Sequence, residues 1–160
     1  MHFKILSAAV FASLMVAGSA AAQNVHDNPR NGFISQAVKV PAGSETLYVS
    51  GITPDVVPGA PAATPFGDTK TQVISVLTKI EAIMKGQGYS LSDTVMMRVL
   101  LVGDPAKGGG MDFSGMMEGY TQFYGPLKNK PARITSQVAA LVRPGMYAEI
   151  EVQAAKAPTK

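Results

Sequence analysis

The chain of 160 residues contains no cysteine and no tryptophan, and only two histidines. Without cysteine there is no disulfide, no thiolate nucleophile and no site for lipoprotein attachment. His2 stands at the N-terminus and His26 is isolated, so neither a zinc site nor a hydrolase triad built on Ser114 or Ser136 is available. Charge is sparse as well: charged residues are 16% of the chain and the formal net charge is +3. The lysines and arginines are scattered and do not alternate with aromatics, which argues against a nucleic-acid surface. Residues 103–110 are rich in glycine, but Lys107 precedes the glycines and no Gly-Lys-Ser/Thr ending follows, so this is a loop and not a P-loop. The pairs Met96-Met97 and Met116-Met117 fall on elements expected to be buried and read as core packing, not soft-metal ligands. No metal and no cofactor is expected, and no repeat of solenoid period is present.

The N-terminus has the form of an export signal. Lys4 supplies a positive charge, residues 5–16 form an apolar run too short for a membrane anchor, and Ala20, Ala21 and Ala22 make a small-residue cleavage site. Cleavage after Ala22 is expected, leaving a soluble, periplasmic or secreted bacterial protein with one domain over residues 23–160. Loss of Lys4 lowers the formal charge to +2.

Hydrophobic periodicity predicts strands near 33–40 and 46–52, then a Pro/Gly/Ala-rich loop over 53–67. Asp68 is placed to cap a helix whose apolar stripe is Val73, Val76, Leu77, Ile80, Ile83 and Met84, with Gly86 as the stop. An almost continuously apolar strand follows at 94–102, expected to be buried on both faces. A second helix near 112–124 carries Phe113, Met116, Met117, Tyr120 and Phe123 at helical spacing. With a closing β-hairpin the order is ββαβαββ, a layered α+β domain.

The hairpin is where chemistry concentrates. Alternation places Ile134, Ser136 and Val138 on the core face with Met146, Ala148, Ile150, Val152 and Ala154. The opposite face then collects Arg133, Thr135 and Gln137 together with Tyr147, Glu149, Glu151 and Gln153. Such a face is usually the solvated side of a sheet. If Val142 pairs with Met146, Glu149 lies opposite Ala139 and roughly 20 Å from Arg133 at strand rise. On that register the two act together only if different chains supply them.

Ser35-Gln36-Ala37-Val38, Leu47 to Gly51, the helix from about Thr69 to Lys85, Tyr120 to Gly125, Pro131-Ala132-Arg133 and Ala148-Glu149-Ile150-Glu151 occur here in an order and spacing that resembles the RidA/YjgF family of reactive-intermediate deaminases. The resemblance spans most of the chain after residue 22. It implies a chorismate-mutase-like α+β fold, with two helices on one face of a mixed sheet, assembled as a homotrimer with clefts between subunits. It further implies hydrolysis of 2-imino or enamino acids to 2-oxo acids and ammonia. Arg133 would grip the substrate carboxylate and Glu149 would orient or activate water, with Ser50, Gly51 and Thr135 beside the ligand. A guanidinium fork suits a carboxylate, and a carboxylate near a cationic imine suits proton abstraction from water. Two positions depart from active relatives: Ile34 stands where many carry tyrosine, and Thr135 where many carry cysteine. The alternatives are a binding module that holds a small carboxylate without turnover, and a holdase-like role of the trimer surface.

Overall fold

The computed structural model describes residues 23–158; the expected leader, residues 1–22, lies outside the described residues. Strands β1 (Val25–Asp27) and β2 (Ala37–Lys39) form a small antiparallel sheet. β3 (Glu45–Ile52), β4 (Thr94–Val102), β5 (Ala132–Val138) and β6 (Ala148–Lys156) form the main sheet in the order β3-β6-β4-β5. Helices α1 (Thr69–Gly86) and α2 (Phe113–Tyr124) pack against each other, and α1 packs on β3 and β6. The class is α+β with both helices on one side, as expected; β1 adds a strand to the expected order.

The Asp68 carboxylate caps α1, accepting from the Thr71 amide at 2.8 Å, and its hydrogen bonds to Thr71 hold its pKa below the usual value. Val73, Val76, Leu77, Ile80 and Met84 of α1 are fully buried against Met97, Val99, Leu101, Ile150 and Val152. Ile83, expected in that stripe, is 39% exposed: it lies at the angular margin of the stripe, whereas Met84 in the same turn is fully buried. The helix also runs through Gly86: Gln87 is its C-cap, and the left-handed turn falls on Gly88 (φ 78°).

Three expectations are overturned. β5 and β6 are not a hairpin: β4 lies between them, parallel to β5 and antiparallel to β6. Val142 is 77% exposed on the connection, which must cross an intervening strand and so cannot be a tight turn. Second, β4 is not buried on both faces; Met97, Val99 and Leu101 are fully covered by the helices, while Arg98 on the other face is exposed. Third, β5 is turned over relative to its alternation. Arg133 and Thr135 pair with Met97 and Val99 and so face the helices, whereas Ile134 is 48% exposed on the open face. β5 is the sheet's edge, and its helix-facing side meets the margin of the core, where the Arg133 side chain is only partly covered. The expected strand at 33–40 is also shorter, reduced to β2 plus a single parallel bridge from Ser35 to Ala132. Among the described residues no helix is long and apolar enough to cross a membrane.

Candidate functional site

Arg133 leaves the sheet toward α2. Its guanidinium carbon lies 4.4 Å from the centroid of the Tyr120 ring, a cation–π distance. One terminal nitrogen points at the Met117 sulfur at 3.3 Å, and the other reaches the Met116 sulfur at 4.0 Å. Thioethers are weak acceptors, and none of the ion pairs among the described residues includes Arg133. Burial lowers its pKa, against the opposing influence of Tyr120, but an arginine keeps its charge in a protein. The result is a half-buried cation whose strong donors have only soft partners.

The surroundings hold this side chain in place. Tyr120 stacks on Tyr124, with centroids 4.9 Å apart and planes 6° from parallel, and its hydroxyl donates to the Phe33 carbonyl at 2.7 Å. Burial raises the Tyr120 pKa to about 12 and raises that of Tyr124 further, so both phenols are neutral. Lys130, nearly buried, donates to the carbonyls of Tyr124, Gly125 and Leu127 and so anchors the end of α2 just before β5 begins. Ser35 donates to the Lys130 carbonyl at 2.7 Å, and its amide donates to the Pro131 carbonyl. Those bonds set residues 33–35 alongside the start of β5, which puts Ile34, 37% exposed, in the segment beside Arg133. The Thr135 hydroxyl, two residues on, is buried without a hydrogen-bond partner.

Glu149 occupies the opposite face. It pairs with Leu100 of β4, an odd number of residues from Met97, the partner of Arg133. The two side chains therefore project from opposite faces of the sheet, with β4 between their strands and about 10 Å of strand rise separating their levels. The roughly 20 Å separation drawn from the hairpin register does not hold, and the shared polar face of Arg133 and Glu149 does not exist within one chain.

Around Glu149 the structure gathers Gly51, Ser50 and Glu151. The β3–β6 pairing is interrupted between Val49 and Ile52, a bulge that lifts Ser50 and Gly51 out of regular register. The Glu149 carboxylate lies over Gly51 so closely that a Cβ built there would stand 2.0 Å from Oε1. Any larger residue here would have to displace the Glu149 carboxylate. Glu151, on the same face, forms an ion pair with Arg98, and a shallow cavity of about 190 Å³ opens between Tyr48, Ser50, Glu151 and Gln153. The expected site residues thus form two clusters: Arg133 with Thr135 toward the helices, and Glu149 with Ser50 and Gly51 on the open face.

Sequence reasoning missed Tyr120 and Met117 as neighbours of Arg133: both read as part of a helical apolar stripe, and Tyr120 enters the family resemblance without a role. Their spacing places them on one face of α2. Which strand that face meets depends on the parallel β4–β5 crossover, for which the residues carry no local signal.

Comparison with known proteins agrees with this architecture. The family model described as Endoribonuclease L-PSP matches residues 26–156. A RutC family protein of Pyrococcus horikoshii is 36% identical over 126 residues, covering 78% of this chain and 88% of its own. The crystal structure of E. coli TdcF with bound serine is 30% identical, with a TM-score of 0.55, covering 74% of this chain and 85% of that one. A Rid family protein from Yersinia pestis, YyfB, shares the fold at 23% identity with a TM-score of 0.64, over 83% of this chain and 98% of that one. The fold is that of the YjgF/Rid proteins, in keeping with a chorismate-mutase-like arrangement, and the chain belongs to the Endoribonuclease L-PSP family, the family of RidA and YjgF.

Proposed function

We propose that the protein hydrolyses 2-imino and enamino acids to 2-oxo acids and ammonia in a cleft between subunits, with Arg133 of one subunit and Glu149 of its neighbour on either side of the substrate. The observation that carries this reading is the state of Arg133: half-buried, stacked on Tyr120, and donating only to sulfur. Such a guanidinium is prepared for a carboxylate, which would supply charge and paired acceptors together. The serine bound to E. coli TdcF, an amino acid bearing a carboxylate, is consistent with such a ligand class.

In the reaction the Arg133 fork holds the carboxylate next to the imine carbon. Glu149 takes a proton from a water molecule as its oxygen bonds to that carbon and the C=N pair moves to nitrogen. Return of that proton to nitrogen makes ammonia the leaving group; as the C–N bond breaks, the hydroxyl proton passes back to Glu149 and the C=O bond forms, releasing ammonia and leaving the 2-oxo acid. General-base assistance of this kind is worth about a hundred- to ten-thousand-fold. Glu149 suits this part because its carboxylate lies over Gly51 and is partly open to water.

The test generates an imino acid in situ with an amino-acid oxidase and follows competition with semicarbazide. Wild type is expected to lower the semicarbazone yield, whereas Arg133→Ala and Glu149→Gln leave it at background. Ile34, in place of a hydroxyl-bearing tyrosine beside Arg133, favours a second reading in which the same site binds carboxylates without turnover. Saturable binding of 2-oxobutyrate, with no change in semicarbazone yield for any amino acid tried, would select it.

A further inference from the structure

We infer that Met117 is an oxidation site that governs the carboxylate-binding arginine, so that its sulfoxide closes the site to substrate. This rests on the reading of Arg133 as a carboxylate clamp. The Met117 sulfur is the nearest acceptor to the guanidinium, at 3.3 Å from Nη2. Its neighbour Met116 also approaches Arg133 but is fully buried, whereas Met117 is only partly covered. An opening that admits an imino acid to Arg133 admits hydrogen peroxide, which is smaller. The chain has no cysteine to intercept such an oxidant.

The chemistry is a single oxygen-atom transfer. The sulfur lone pair attacks one peroxide oxygen, the O–O bond breaks, and with proton transfer the other oxygen leaves as water; sulfur is oxidised and peroxide reduced. The product replaces a weak thioether acceptor with a strongly polar S=O oxygen. Because the thioether already lies at the guanidinium, that oxygen forms within reach of the N–H fork and competes directly with an incoming carboxylate. Met111, 37% exposed at the start of the segment leading into α2, is more accessible, but its hydrogen bond runs from its backbone amide to Gln137 and its side chain makes none to Arg133. Oxidation there serves as an internal control.

The experiment treats full-length protein with graded hydrogen peroxide, maps sulfoxides by peptide mass spectrometry and measures 2-oxobutyrate binding by calorimetry on the same samples. Loss of affinity by about tenfold or more, tracking the Met117 sulfoxide fraction and not that of Met111, is expected. Met111→Leu should retain the sensitivity, and Met117→Leu should keep through peroxide treatment whatever affinity it starts with. Met117 remaining reduced while Met111 oxidises, or full Met117 oxidation with unchanged affinity, overturns the inference and leaves the arginine clamp intact. Absence of binding by untreated protein overturns the clamp itself.

Discussion

At the scale of single residues, the two clusters make different demands. Arg133 must offer a planar fork, so Arg133→Lys, which keeps the charge but not the paired donors, is expected to lose substrate capture nearly as fully as Arg133→Ala. A fall of about a hundredfold in kcat/KM for either is expected from loss of a hydrogen-bonded charge partner, measured in the semicarbazide assay. If the lysine variant retained wild-type kinetics, bidentate recognition would be ruled out. Gly51 makes a steric demand: Gly51→Ala places a methyl group where the Glu149 carboxylate now lies. Displacing a catalytic group by about an ångström costs on the order of a hundredfold in rate. The expected signature is a lower kcat with little change in melting temperature, since Gly51 is exposed and its φ is not in the left-handed region. Unchanged kcat in a folded Gly51→Ala protein would remove Glu149 from the mechanism as drawn.

At the scale of elements, the approach of α1 and α2 depends on Gly119, whose added Cβ would stand 2.8 Å from a Val73 methyl and 3.1 Å from the Lys70 carbonyl. Alanine would gain about 1 kcal/mol in helix propensity, but overpacking of about 1–3 kcal/mol opposes it. Gly119→Ala is therefore expected to lower stability in urea titration, and a higher midpoint would show the helices free to separate. The stacked tyrosines of α2 predict alkaline sensitivity. Burial raises the Tyr120 pKa to about 12, whereas an unfolded tyrosine ionises near 10. The stabilisation is whole below pH 10 and is lost as pH rises from about 10 toward about 12, where the unfolded state has released its proton and the native state has not. Urea midpoints should fall over that window, with a shallower fall in Tyr120→Phe. Both helices and strands β3 and β4 are readable from periodicity and from the Asp68 cap because those signals are local. The pairing of β5 is not: a strand joined by a short connection to the next reads as a hairpin, and only the non-local insertion of β4 shows otherwise. That error carried Arg133 to the wrong face, although the residue type and its Pro-Ala-Arg setting singled it out as a candidate.

At the scale of the molecule, one chain separates what the proposed reaction brings together. Arg133 faces the helices and Glu149 the open face. That open face presents Ile134, 48% exposed, and Tyr48, 71% exposed, beside half-covered Met96, Leu100 and Val102, while β5 keeps an edge that, among the described residues, only Ser35 bridges. Apolar area and a free strand edge both favour association, and a closed ring would set the open face of one subunit against the β5 margin of the next. Light scattering of residues 23–160 is expected to report a trimer. A stronger test separates a shared site from one confined to a chain. Differently tagged Arg133→Ala and Glu149→Gln chains are co-expressed, and mixed oligomers are isolated on both tags. Each variant alone is expected to be inactive, but a mixed oligomer contains interfaces whose arginine and glutamate are both intact because they come from different chains. With random assembly that holds for roughly a quarter of all interfaces, and for more in oligomers selected to contain both variants. Recovery of a comparable fraction of wild-type activity follows from a shared site. Mixed oligomers as inactive as their parents, with composition verified by native mass spectrometry, would require Arg133 and Glu149 to serve one site from one chain, which a sheet that holds them on opposite faces does not allow without refolding.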